Sequence, residues 1–259
     1  MQAATQVRLR SRPPQLGGAA PMVCRGLVPA FVNGVCAAAL ASGTIAPAGA
    51  QDGKKDLFPR MAPIEQYRMA NRSEEIALAR SAAPASISSD ADVLVLSDRG
   101  YQTAVKGKNG FVCLVERSWF GSFDDAEFWN AKNRSPICLN AAAARTVLPV
   151  DLEKTQWALD GVSKAEMISR TRSSAVAHQA AAPGSMAYML SKQGHLNDAA
   201  GHWHPHLMFF EPHTGLSDWG ANTPGSPVLG QEGGANETTV FFVPVGKWSD
   251  GTSASMDAQ

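Results

Sequence analysis

Residues 92–118 read DVLVLSDRGYQTAVKGKNGFVCLVERS, and this stretch decides the fold class. Three runs rich in Val, Leu and Phe, at 92–97, 101–106 and 110–118, are separated by Ser97-Asp98-Arg99-Gly100 and Gly107-Lys108-Asn109-Gly110. Both separators carry turn chemistry, the second ending in Asn-Gly, so the pattern predicts an antiparallel meander of three strands.

On the N-terminal side the periodicity is helical. Pro63 suits a first helical turn, Asn71 with Glu74 three residues later resembles a capping arrangement, and Pro84 stops the run. Helices are predicted over 63–70 and 73–82, with a weak apolar stripe. On the C-terminal side Trp119, Phe120, Phe123, Phe128 and Trp129 form an aromatic segment, read as a loop tucked onto the core or as a binding surface. Residues 135–138 then return the chain toward Cys113.

A helical pattern follows over 150–177, broken near Gly161 and restarted by the capping box Ser163-Lys164-Ala165-Glu166. Strand-like runs at 186–191, 202–211 and 238–245 close the chain. Between the last two, 212–234 is rich in Gly, Pro, Ser and Asn. It is long for a structureless connection, which makes it functional or disordered. Strands bracketing a helical middle predict an α+β fold, a mostly antiparallel sheet with helices packed on one face.

Residues 1–50 stand apart from this pattern. Their only charges are Arg8, Arg10, Arg12 and Arg25, and a charge-free apolar run ends in Ala48-Gly49-Ala50. This is the form of a secretory signal peptide, with cleavage between Ala50 and Gln51 and with Met1 or Met22 as the start. A membrane anchor is disfavoured by Pro29, Asn33, Gly34, Gly43 and Pro47 within the run. Residues 51–62 are expected to be loose and 63–259 to form one globular domain, in the periplasm or outside the cell. After processing, 19 basic residues face 23 acidic ones, which leaves no general basic field for nucleic acid. Cys113 and Cys138 are the two cysteines beyond residue 50, and in an oxidising compartment they are expected to form a disulfide.

The candidate chemistry is a histidine cluster: His195, His202, His204, His206 and His213 fall within nineteen residues. On a strand, 202, 204 and 206 share a face, and neutral imidazoles suit Zn, Cu, Ni, Mn or Fe. His204 and His206 are the first choice of ligands, completed by Glu211, His195 or His213, with Asp198 as a substitute carboxylate. Glu211 has the opposite strand parity, so its participation requires a bulge. The alternative is a polar, hydrogen-bonded face beside Trp203 and Trp219.

The spacing His204-x-His206 with Glu211 resembles the first metal motif of the cupins, which implies one divalent metal ion. The second cupin motif requires a later histidine, and none follows His213. The stretches 107–115 (GKNGFVCLV) and 201–210 (GHWHPHLMFF) resemble a family of uncharacterised exported bacterial proteins, which implies export and no particular activity. No Gly-x-Ser-x-Gly, His-Glu-x-x-His or phosphate-binding loop occurs. Two functions are therefore expected to compete. One is an exported module binding a small ligand or protein through 212–234 and 119–129; the other is a metal-dependent hydrolase or oxygenase using the histidine row.

Overall fold

The computed structural model describes residues 56–198, 201, 203–233 and 238–254. The segment expected to be a signal peptide and its expected Ala50–Gln51 cleavage lie outside the described residues, as do 51–55 of the segment expected to be loose. Eight strands form one sheet: β1 Asp92–Ser97, β2 Gly100–Val105, β3 Val112–Glu116, β4 Ser135–Leu139, β5 Met186–Met189, β6 His206–Pro212, β7 Leu229–Gln231 and β8 Thr238–Pro244. Their spatial order is β2-β1-β3-β4-β5-β6-β8-β7, and every pairing is antiparallel except β1 with β3. Five helices accompany it: α1 Arg72–Arg80, α2 Ala85–Ser88, α3 Ala141–Thr146, α4 Leu148–Leu159 and α5 Lys164–Ser173. The fold is α+β, with helices packed against a mostly antiparallel sheet. None of these helices is long and apolar enough to cross a membrane.

The first three strands depart from the predicted meander. β1 and β2 form the expected hairpin, Ser97 opposite Gly100. The Gly107–Gly110 segment makes no second hairpin. It folds back over the start of β1, where Asp92 Oδ1 accepts from Gly107 N at 2.7 Å and the Asp90 carbonyl accepts from Lys108 N at 2.8 Å. A Cβ on Gly107 would stand 2.2 Å from that Asp90 carbonyl oxygen, so the crossing admits glycine alone. The chain is thereby delivered to the far side of β1, and β3 pairs with it in parallel, Val93 opposite Cys113.

Alternation along β3 and β4 divides the core between the two faces. Cys113, Val115 and Cys138 pack with Leu78 and Ala79 of α1, whereas Leu114, Ile137 and Leu139 pack with Ala143 of α3 and Leu148 of α4. Helices therefore cover both faces rather than one, because both faces of these central strands are apolar. Cys113 and Cys138 are directly opposite one another, Cα to Cα 4.0 Å, and are joined by a disulfide.

A third cluster gathers Tyr67, Trp119, Phe128, Trp129, Ala158 of α4 and Met167 of α5. The aromatic segment is thus core, and Trp119 Nε1 donates to Thr155 Oγ1 at 3.1 Å. Beside it lies a buried ion pair, Arg117 Nη2 to Glu75 Oε1 at 2.7 Å, whose guanidinium also donates from Nε to the Tyr67 carbonyl at 2.6 Å. Arg134 donates to the Gln66 carbonyl at 3.1 Å. These arginines take carbonyls that a helix over 63–70 would use, so only a single 3-10 turn, Ile64–Gln66, forms there. The other helix starts agree with their caps. Asn71 Oδ1 accepts from Ser73 N at 2.9 Å, and Ser163 Oγ accepts from Glu166 N at 3.2 Å.

The long segment after β6 is built rather than structureless. It holds a 3-10 turn, Leu216–Trp219, and the edge strand β7. The outward N–H and C=O of Gly230 are both taken by the Asn222 carboxamide, at 3.0 and 2.8 Å. That side chain substitutes for a ninth strand and closes the sheet edge. Asn222→Ala is expected to cost about 1 to 2 kcal/mol and to promote self-association, read by denaturant midpoint and size-exclusion chromatography. An unchanged midpoint would show that the cap contributes nothing.

Candidate functional site

The described histidines of the cluster form no shared ligand set. β6 begins at His206, so His204 precedes the strand and His206 opens it, while His202 lies outside the described residues. Trp203 is buried with Nε1 donating to the Met189 carbonyl at 3.0 Å, and the Pro205 carbonyl accepts from Val245 N at 2.8 Å. His206 Nδ1 donates to the His204 carbonyl at 2.7 Å, and its ring stands edge-on to Trp203 and Phe242. Burial holds the His206 imidazole below its ordinary pKa, against the opposing hydrogen bond to His204.

Glu211 is on the other face of β6. Its register with Thr239 runs without interruption from His206 opposite Pro244, so the bulge that a shared site requires is absent from this pairing. His195 instead meets Asp198, Nε2 to Oδ1 at 3.1 Å. Asp198 is also bonded to Lys132 at 3.1 Å, and its backbone N–H donates to the buried Glu127 Oε2 at 2.7 Å. His213 follows β6 at the end opposite His206. Among the described residues, no group of three or more His, Cys, Asp or Glu side chains is arranged to hold a metal ion.

Two ionisable arrangements were not legible as sites. Glu116, on the face of β3 that carries Leu114, interacts electrostatically with Asp151 and Lys154 of α4. Lys154 Nζ is 3.7 Å from Asp151 Oδ1, donates to the Phe120 carbonyl at 3.3 Å and lies 5.1 Å above the Phe123 ring. Burial, reinforced by Asp151 and opposed by Lys154, pushes the Glu116 carboxyl up to about 8. Burial likewise raises Asp151 to about 6, with Lys154 opposing. At neutral pH Glu116 holds its proton while Asp151 pairs with Lys154. The i, i+3 spacing of 151 and 154 was a visible signal, but Glu116 enters only through the sheet.

The second arrangement is a cleft. An open groove of about 590 Å³ lies between 59–64 and 158–164, floored by Ile64, Trp129 and Val162. Its cation Lys164 is already engaged, 2.8 Å from Asp56 Oδ1 and above the Phe128 ring, so the groove has shape without groups aimed at a ligand. The smaller cleft, about 380 Å³, is lined by His213, Thr214, Gly215, Glu232, Gly233 and Thr239. Here polar groups of unlike type meet.

Comparison with protein-family models, curated proteins and solved structures finds no match to this chain. The cleft must be read from its own chemistry. His213 has φ of 51°, left-handed backbone that costs a residue with a Cβ about 1 kcal/mol or more. Thr239 Oγ1 donates to the Thr214 carbonyl at 2.6 Å, which ties the floor of the cleft to its rim and leaves that oxygen as an acceptor. Beside it, the Trp219 ring stacks on Phe241, centroids 4.4 Å apart and planes within 5°. A Cβ on Gly230 would meet Leu216 at 2.6 Å and Ala221 at 3.0 Å, so this glycine lets the 216–221 turn lie flat on the sheet.

Proposed function

We propose that the protein is an exported ligand-binding module whose recognition site is the cleft lined by 213–215, Glu232, Gly233 and Thr239. The observation that carries this reading is the convergence of His213, Glu232 and Thr239 on a concave surface held by a left-handed non-glycine residue. Export is supported by the signal-like pattern of 1–50 and is compatible with the Cys113–Cys138 disulfide. The aromatic segment 119–129 is core and drops out as a binding surface. The metal-enzyme reading finds no ligand set among the described residues.

The test is two-dimensional NMR of the full chain, as released by a bacterial host, against a library of small polar fragments. Hits are expected to shift amides at 213–215, 231–233 and 239. Hits confined to the 59–64 and 158–164 groove, or a library without hits, would overturn the assignment. N-terminal sequencing of the same material is expected to begin at Gln51.

A further inference from the structure

Resting on that reading, we propose that the cleft and Trp219 together form a saccharide subsite. In it a pyranose ring stacks on the indole, and its hydroxyls are bound by His213, Glu232 and Thr239. The two parts are contiguous. Thr239 and Phe241 lie two residues apart on one face of β8, and Trp219 rests on Phe241. From the other side, Gly215 N donates to Asp218 Oδ2 at 3.1 Å, which joins the rim of the cleft to the residue before Trp219.

The indole is a fixed plate. One face is covered by Phe241 and the Phe209 ring lies tilted against it, 5.5 Å away centroid to centroid, yet 36 % of the residue is exposed. Its turn is pinned by Gly220, at φ of 59°, whose N–H bonds back to the Ser217 carbonyl at 3.0 Å. A large exposed aromatic held this way offers contact area without an ordering cost on binding.

The lining selects among ligand classes. No Lys or Arg lines the described cleft and Glu232 does, so a phosphate, sulfate or carboxylate would meet repulsion. A wholly apolar ligand would take water from the Glu232 carboxylate and the Thr239 oxygen without replacing its hydrogen bonds, which is costly. What fits is a neutral molecule with one apolar face and a perimeter of hydroxyl groups. A pyranose has that construction: axial C–H groups on a face that stacks on an indole, and hydroxyls that donate to a carboxylate and exchange hydrogen bonds with imidazole and threonine.

The test is isothermal titration of the full chain with maltohexaose, cellohexaose and N-acetylchitohexaose. At least one is expected to bind at millimolar affinity or tighter. Trp219→Ala should weaken that binding tenfold or more, Trp219→Phe should weaken it less because the stack on Phe241 survives, and Glu232→Gln at an exposed position should weaken it with the fold untouched. If polar fragments shift the cleft but none of the three hexaoses binds, the saccharide assignment falls and the cleft reading stands. If neither fragments nor hexaoses act there, both fall. Hexaose binding unchanged in Trp219→Ala and Glu232→Gln would place the sugar elsewhere and overturn the subsite.

Discussion

Raising the pH from about 6.5 to about 9 is expected to destabilise the protein by about 2 kcal/mol, with Glu116 as the main source. Its carboxyl is raised from the ordinary value of 4.5 to about 8 by burial and by Asp151. The folded chain therefore holds a proton that the unfolded chain releases. That stability is complete below the unfolded pKa and is lost as pH climbs through the folded one. Asp151, raised to about 6, acts in the same direction over a lower window. His206 acts oppositely: its lowered pKa means that stability is lost as pH falls below 6.5, so the uncompensated decline belongs to neutral and alkaline pH. Urea midpoints measured across this range should slope downward, and Glu116→Gln should flatten them, matching the wild type only below about pH 4.5 and exceeding it by a margin that grows toward pH 9. Asp151→Asn should shift the decline to higher pH only if Lys154 dominated; removal of a like charge is expected to lower the Glu116 midpoint instead. A slope unaltered by Glu116→Gln would refute the assignment.

Removing the disulfide is expected to cost about 3 to 4 kcal/mol, the chain-entropy value for a loop of this length. The bond closes a separation of 25 residues that contains Trp119, Phe128 and Trp129, all three of them core. Cys113→Ala with Cys138→Ala should lower the denaturant midpoint accordingly and lower the refolding yield. Both cysteines are 0 % exposed, so dithiothreitol should leave the native bond intact and cleave it only after unfolding. Rapid reduction of native protein would show that the 112–116 and 135–139 strands separate far more readily than a central pair should.

Strand and helix identities were legible where local chemistry suffices. β1 and β2 announced themselves through a short apolar run and a turn, α1 and α5 through the caps Asn71 and Ser163, and the cysteine pairing through count. These features depend on neighbours within a few residues, or on only one possible partner. The helix expected at 63–70 failed for a non-local reason, since Arg117 and Arg134 come from the residue after β3 and the residue before β4 to take its carbonyls.

The candidate site shows the same division. A strand over 202–211 gives three histidines one face, but Trp203 is drawn into the core by the Met189 carbonyl and the strand begins only at His206. Sequence proximity gathered five histidines, and tertiary structure dispersed the described ones among a sheet face, a turn with Asp198 and the rim of a cleft. In the other direction, Glu116 meets Asp151 across a sheet and a helix, and Thr239 meets Thr214 across 25 residues. Alternation and capping are properties of a segment, and two cysteines have only each other to pair with, so the amino-acid sequence by itself determined the α+β class, the hairpin, the helix starts and the disulfide. Which side of β1 receives β3, which carboxylate keeps its proton and where polar groups meet Trp219 depend on burial and on distances between remote segments, and only the packed chain decided them.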